Sequence, residues 1–379
     1  MKLINIQKDY ELLLKDTITN YTNPSHIYIP AVKNIQIDPK NYIYKQTLIY
    51  DKTYSPVSGK IVGLKELKDI DGNLKKYIVI ENDYKEKTEK KSSIRSNFDK
   101  LKKEKFLELL NDYDENIYNI FLTQTDKIVL NVAEEQPYLG NKEYIIKEYS
   151  KELLDLIDSI AQICGYNNIE ILAKETDLRL INNLNNIIGS YPNMILKLIP
   201  NKYMITQKDI LVKSMNMDEN FIYLQLEELY DLYNYVIRKK HKENVLITIT
   251  GTKISNPQVI KCKIGTLLSD LMKEYIETID DNYVIILNSL ITGINITDCN
   301  YVIDKNTRGI YIMDNIEISE EKCIKCGKCN EICPMNINVY NLVNNKKCDL
   351  KKCIKCGMCS YICPSYININ KLIDGDRNE

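Results

Sequence analysis

The sequence has few of the residues on which many enzyme active sites depend. Among its 379 residues there is no tryptophan, and there are only two histidines, His26 and His241. His26 precedes a predicted strand, and His241 lies in a lysine-rich segment that is typical of an exposed helix end. Each position is more typical of a surface or capping residue than of a general base. We therefore expect no mechanism built on histidine.

Long apolar runs and an excess of charge are also missing. No apolar run reaches the ~20 residues that cross a bilayer, and residues 1–16 lack the uninterrupted apolar core of a signal peptide. The formal net charge of -1 gives no general attraction for nucleic acid. These features predict a cytoplasmic chain with no nucleic-acid partner, and its length predicts several domains.

Cysteine is the residue that the sequence concentrates. Eight of its 12 cysteines lie in "CIKCGKCNEICP" (323–334) and "CIKCGMCSYICP" (353–364). Each segment has the C-x2-C-x2-C-x3-C-P spacing of ferredoxins with two clusters, in which the fourth cysteine binds the cluster of the other repeat. The spacing of the cysteines therefore predicts two [4Fe–4S] clusters.

The spacing also predicts which thiolates share a cluster. Structural zinc, the alternative, usually takes two C-x2-C pairs with a longer spacer, so the spacing favours iron–sulfur. The expected ligands of the first cluster are Cys323, Cys326, Cys329 and Cys363. The expected ligands of the second cluster are Cys353, Cys356, Cys359 and Cys333.

Other residues of the repeats have predicted roles as well. Four isoleucines are expected to shield the clusters from water, which tunes their potentials. Three lysines are expected either to attract an acidic redox partner or to be plain solvated charge. The isoleucines are Ile324, Ile332, Ile354 and Ile362, and the lysines are Lys325, Lys328 and Lys355.

The remaining four cysteines are expected to be small structural residues. Cys262 alternates with lysines in "QVIKCKIG", which places it on the buried face of a strand. Cys164 ends a predicted helix from about residue 150, before Gly165. Cys299 and Cys348 have no partner at ligand spacing.

The pattern of strands and helices predicts an α+β multidomain chain. Residues 1–90 contain short strands, and "SPVSGKIVG" resembles a barrel-sandwich hybrid domain, the lipoyl and biotinyl type. Only Tyr54 separates "DKT" from that segment, too little for a return strand, so we do not expect lipoylation of Lys52. Residues 106–243 alternate strand and helix, which predicts a parallel sheet. Residues 244–290 show a ββαβ order that resembles a β-grasp (SLBB-like) module, and residues 315–379 hold the cysteine repeats.

In this order the four segments resemble the C subunit of the Rnf electron-transport complex over nearly the whole chain. The resemblance rests on the cysteine repeats, "SPVSGKIVG", "NVAEEQPYL" and "VLITITGTKISNPQVIKCKIGT". It implies a middle domain similar to the flavin- and NADH-binding subunit of complex I. It also implies a peripheral position on the cytoplasmic face of the cell membrane, with other subunits and a ferredoxin or flavodoxin-like protein as partners.

The sequence departs from this family where a flavin would bind. Backbone amides hold its phosphate in a glycine-rich loop, yet no glycine occurs between Gly72 and Gly140. Residues 93–110 predict a helix there instead. Val132 replaces a family glycine, Gln136 replaces an acid, and the segment from Leu224 also differs. We therefore expect FMN and NADH binding to be lost.

The sequence thus predicts an electron-transfer subunit of a ferredoxin–NAD-type oxidoreductase rather than a catalyst on its own. Two alternatives stay open: an intact NADH dehydrogenase subunit with unusual phosphate contacts, and an assembly protein whose clusters are structural.

Overall fold

The computed structural model describes residues 19–21, 24–32, 38, 41–69, 73–89, 97–275, 277–278, 280–297, 299–315 and 321–376. The predicted absence of a signal peptide, the start of the first predicted domain and part of the helix predicted over residues 93–110 lie outside these residues. Within them, no helix is both long and apolar enough to span a membrane.

Strands are numbered in chain order through the described residues. They are β1 (Thr19–Tyr21), β2 (His26–Pro30), β3 (Tyr42–Ile43), β4 (Leu48–Tyr50), β5 (Thr53–Tyr54), β6 (Gly59–Lys68), β7 (Leu74–Asn82), β8 (Lys127–Asn131), β9 (Asn168–Lys174), β10 (Met194–Ile199), β11 (Ile222–Gln225), β12 (Asn244–Thr250), β13 (Gln258–Lys263), β14 (Tyr283–Leu287), β15 (Ile294–Ile296) and β16 (Gly309–Asp314).

Helices are numbered in the same way, and a 3-10 turn covers Phe98–Lys100. They are α1 (Lys103–Tyr113), α2 (Glu115–Phe121), α3 (Asn141–Cys164), α4 (Leu178–Ile188), α5 (Lys208–Met215), α6 (Leu226–Val236), α7 (Leu268–Tyr275), α8 (Lys328–Ile332), α9 (Val339–Val343), α10 (Met358–Tyr361) and α11 (Ile369–Asp376). The fold is thus mixed α and β, as the sequence predicted.

The N-terminal strands form an antiparallel sheet in the order β2-β7-β6-β3. Beside it, β4 and β5 pair as a short hairpin, with Asp51 and Lys52 in its turn. The expectation that no return strand could follow Lys52 was therefore wrong, because a two-residue strand suffices. The Lys52 ammonium donates to the Asn111 carbonyl at 2.7 Å, which ties this turn to α1.

The middle of the chain forms the predicted parallel sheet, in the order β10-β9-β8-β11. Helix α3 begins at Asn141, earlier than the predicted start near residue 150. Its buried stripe already begins at Ile145, before the apolar positions on which the prediction was based. It ends as predicted at Gly165, which adopts the left-handed conformation (φ 78°).

A second large sheet follows, in the order β1-β13-β12-β16-β14-β15. It contains the predicted ββαβ order, β12-β13-α7-β14, and continues through β15 and β16. Cys262 lies fully buried in its core, as predicted. Beyond this sheet, the short helices α8 and α10 lie within the two cysteine repeats, and α9 and α11 follow them and complete the described chain.

Candidate iron–sulfur centre

The two cysteine repeats adopt the same backbone conformation. Lys325 and Lys355 have φ values of 57° and 52°, and Gly327 and Gly357 have φ values of 75° and 74°. Positive φ is the left-handed region that glycine enters without steric cost. These turns lead into α8 and α10. Identical spacing in the two repeats has thus produced two equivalent loops.

The first cavity in this region is lined by the predicted first set of cysteines. Three come from the first repeat, and Cys363 comes from the second. The four thiols that line it are those of Cys323, Cys326, Cys329 and Cys363. Apolar side chains complete the lining, among them Val343, Ile367 and Ile369.

The second cavity has the reciprocal arrangement, with Cys333 as the contribution of the first repeat. The four thiols that line it are those of Cys333, Cys353, Cys356 and Cys359. Ile337, Val339 and Ile373 also line it and belong to the apolar core of this region. The chain thus brings together both predicted sets of four, and each set encloses space.

The chemistry of these thiols fits iron–sulfur clusters. Among the described residues, no three His, Cys, Asp or Glu side chains converge on a point that would hold a single metal ion. Burial, with the neighbouring Cys356, raises the pKa of the Cys359 thiol to about 12. A thiol of this kind ionises when it binds a cation, and iron supplies that positive charge. Sets of four thiols that surround a cavity fit iron–sulfur clusters better than isolated ions.

The predicted shielding by isoleucines is only partly correct. Ile324 and Ile354 line the first and second cavities, respectively, but Ile324 is 63% exposed. Ile332 and Ile362 instead pack toward the middle of the chain, in an apolar cluster with Tyr203. The prediction assumed that neighbours in sequence would cover the clusters, whereas residues after each repeat do so.

The second cavity lies against the rest of the molecule, whereas the first is nearer to solvent. The buried Tyr203 hydroxyl donates to the Cys356 carbonyl at 3.2 Å. A Cβ added at Gly357 would lie only 2.8 Å from a side-chain carbon of Thr292. By contrast, Cys326 is exposed, and a Cβ at Gly327 would meet nothing within 4 Å. The two cavities therefore differ in their surroundings.

The cysteines outside the two sets are packed against apolar cores. Cys262 is fully buried, whereas Cys164, Cys299 and Cys348 are partly buried. Cys348 is near the second repeat, but its thiol donates to the Asn338 carbonyl at 3.3 Å and lines a separate cleft.

The parallel sheet offers a second place where a cofactor would be expected. In open α/β sheets, ligands bind beyond the carboxyl ends of the strands, where the strand order reverses. Here the reversal lies between β8 and β11, whose last residues are Asn131 and Gln225. The Asn131 amide donates to the Gln225 Oε1 at 2.8 Å across that point. A crevice at this point would be the flavin position that the family resemblance implies.

Protein side chains fill this crevice. The Lys142 side chain is 2% exposed, and its Nζ donates to the Ala133 carbonyl at 3.0 Å and to the Gln225 Oε1 at 2.9 Å. Its Nζ also lies 3.6 Å from the Glu227 carboxylate, which pairs with Arg308 at 2.7 Å. An ammonium group therefore occupies the volume beside the strand ends.

Burial controls the ionisation of the acids in this network. Burial, and next the charge of Glu227, raise the pKa of Glu134 to about 7. Burial alone would also raise the pKa of Glu227, but Lys142 and Arg308 together lower it. Glu134 follows β8 in a loop, where its Oε1 accepts from the Lys142 backbone amide.

The two histidines lie outside both places. His26, which was predicted to precede a strand, is the first residue of β2. The prediction of an exposed His241 was wrong, because its ring stacks on Tyr54 with centroids 3.4 Å apart. Burial lowers the pKa of His241. The Gln46 Oε1 accepts a hydrogen bond from the His241 backbone amide at 2.8 Å. This contact joins the N-terminal strands to the segment after α6.

A comparison with known protein families identifies the class of the C-terminal region. A family model described as "4Fe-4S dicluster domain" matches residues 315–364, the segment that holds both repeats. This match identifies the segment as an iron–sulfur domain.

Two curated relatives are named as the C subunit of an ion-translocating oxidoreductase complex. The protein of Buchnera aphidicola subsp. Acyrthosiphon pisum is 23% identical over 226 residues, which cover 54% of this chain and 46% of the relative. That of Buchnera aphidicola subsp. Baizongia pistaciae is 23% identical over 214 residues, which cover 52% and 42%. These matches confirm the resemblance to the C subunit of the Rnf complex, but over about half of this chain and not over nearly the whole of it. The matched part spans less than half the length of either relative.

Among solved structures, the chain is similar to an NAD+-reducing [NiFe]-hydrogenase in the air-oxidized state. The TM-score is 0.45 with 10% identity, and the match covers 69% of this chain and 50% of that chain. At this TM-score the likeness supports no assignment.

Proposed function

We propose that this chain is an iron–sulfur electron-transfer subunit with two [4Fe–4S] clusters. The observation that carries the proposal is the pair of cavities, each lined by three cysteines of one repeat and one of the other. When bound, a cluster of this type takes up and releases one electron at a time. The eight cysteines hold the clusters, and the apolar lining limits the access of water.

We further propose that the chain works within a membrane-associated, ion-translocating oxidoreductase complex, on its cytoplasmic face. This part rests on the names of the relatives and on their resemblance to this chain. Attachment would be through partner subunits. In this proposal the N-terminal strands form a barrel-sandwich hybrid domain and the β12–β14 region forms a β-grasp module, with the domain boundaries given above.

The buried Lys142 network favours this function over an NADH dehydrogenase. Hydride oxidation needs a flavin that splits an electron pair into single electrons, and the sheet position for it is filled. We therefore propose that electrons enter and leave through partner proteins, and that the chain by itself binds neither FMN nor NADH.

Anaerobic reduction tests the function directly. Reconstituted protein should bleach in its visible absorption with dithionite, recover on reoxidation through several cycles, and remain unchanged when NADH is added. Clusters that cannot be cycled would contradict electron transfer and support the assembly protein as the alternative. Bleaching by NADH alone would support the dehydrogenase.

A further inference from the structure

A wide cleft lies beside the second cysteine cavity. It has a volume of about 920 Å³ and separates the segment around α5 from the segment that joins the two cysteine repeats. One wall includes Pro200 and Ile205, and the other includes Asn338 and Asn341. The cleft is distinct from both cysteine cavities and from the crevice that Lys142 fills.

Positive charge dominates the lining of this cleft. Lys202 and Lys213 lie on one wall, Lys347 and Lys352 lie on the other, and Asp349 is the one acid of the lining. Lys202 is half-buried and the other three lysines are exposed. None of the four forms an ion pair within the described part of the chain. Because the whole chain has a net charge of -1, this local excess is not a general property of the surface.

The cleft and the second cysteine cavity share a wall. Pro334, Met335 and Ile337 line both of them, and Pro334 directly follows Cys333 in the sequence. A protein that fills the cleft would therefore be separated from the second set of thiols by a thin, mostly apolar layer. The first set of thiols has no such relation to the cleft, because its lining shares no residue with it.

We propose that this cleft docks the acidic face of a one-electron redox protein. The proposal rests on the proposed function, because the partner exchanges one electron with a cluster in the second cavity, and no covalent bond forms or breaks. Exposed lysines on two opposing walls would orient a negatively charged protein and raise its association rate. Small-molecule sites, by contrast, are mostly apolar and enclosed. Lys325 and Lys328 beside the first cavity form the alternative docking surface, which the test below compares with this cleft.

Equilibrium binding provides the test. The probe is a fluorescently labelled, strongly acidic two-cluster ferredoxin, titrated with the reconstituted full chain by anisotropy at low ionic strength. We expect Lys213→Glu/Lys347→Glu to weaken binding at least about tenfold, since like charges on opposing walls replace attraction with repulsion. Salt near ~0.5 M should weaken binding to the native chain, because it screens exposed charges.

Two further double variants, each with the same change in charge as the cleft variant, show whether the loss of binding is specific to the cleft. Lys151→Glu/Lys240→Glu alters exposed lysines away from the cleft and should bind like the native chain. Lys325→Glu/Lys328→Glu tests the alternative surface. An equal or larger loss in this last variant, or unchanged binding in the cleft variant, would overturn the proposal. Iron analysis and EPR of each preparation come first, so that a failure to hold clusters is recognised as a failure of the proposed function.

Discussion

Two regions of this molecule stand where its family resemblance implies a cofactor, and they are built in opposite ways. In the C-terminal region, two sets of four thiols surround separate cavities. At the strand ends of the parallel sheet, Lys142, Gln225 and Glu227 occupy the space themselves. The first region leaves an enclosed space between thiols that could bind a cofactor. In the second region, charged and polar side chains of the protein occupy the corresponding space. Under the proposed function, the first region holds cofactors and the second does not.

The largest expected effect concerns the crossed thiols. Cys333→Ser should abolish the second cluster and leave the first, because Cys333 lines the second cavity and does not line the first. Iron per chain should fall from about eight to about four. Iron analysis and EPR measure this.

Cys348→Ser is the matched control, since Cys348 lies near the second repeat but lines neither cavity. It should keep the native iron content. If Cys333→Ser lost the first cluster and kept the second, the crossed assignment would be wrong.

The next largest effect concerns the filled crevice. Lys142→Met removes the hydrogen bonds from its ammonium to the Ala133 carbonyl and the Gln225 side chain. Because Glu227 keeps Arg308 at 2.7 Å, the free energy of unfolding should fall by about 1–3 kcal/mol rather than by the full cost of an unpaired buried charge. Urea denaturation measures this, and Lys151→Met, on the exposed face of the same helix, should change it little. Neither variant should bind FMN. An undiminished stability would show that Lys142 is not a structural replacement for a cofactor.

The pH dependence of the free energy of unfolding tests the same network of buried charges around Lys142. The pKa of Glu134 is about 7 in the folded chain and lower when unfolded, so the folded state binds the proton more tightly. The resulting stabilisation is complete below the unfolded pKa and is lost as the pH rises through about 7. The charged groups that act on it include Glu227, Lys142 and Lys174, and Arg308 also interacts with it.

Glu134→Gln should therefore remove a decrease of roughly 1–3 kcal/mol in the free energy of unfolding as the pH rises toward 8. Denaturation of both proteins between pH 5.5 and 8 provides the comparison. The exposed Glu152→Gln should keep the native profile. Parallel profiles for Glu134→Gln and the native chain would mean that Glu134 titrates like an ordinary surface acid.

The smallest expected effect distinguishes the two cysteine cavities. Tyr203→Phe removes the hydrogen bond to the Cys356 carbonyl and should lower the free energy of unfolding by about 1 kcal/mol. The EPR signal of the second cluster should shift while that of the first is unchanged. Tyr361→Phe, at a side chain that is 62% exposed, should alter neither signal. Equal shifts of both signals in Tyr203→Phe would contradict the difference in surroundings.

Much of this architecture is predictable because it depends on local pattern. Alternation of apolar residues with lysines predicted β13, and the cysteine spacing predicted the two sets of thiols that line the two cavities. The remaining features depend on contacts between distant segments. Nothing near Lys142 in the sequence indicates that its ammonium reaches Gln225, and nothing near His241 indicates its stacking on Tyr54. The missing glycines led to the prediction that flavin binding is lost, but they gave no sign that Lys142 would lie at these strand ends.

One measurement tests the central claim most directly: iron, acid-labile sulfide, zinc and flavin content after anaerobic purification and cluster reconstitution. The account predicts about eight irons and about eight sulfides per chain, with no flavin. Four irons or fewer, a protein that holds only zinc, or stoichiometric flavin with clusters that bleach on adding NADH would contradict it.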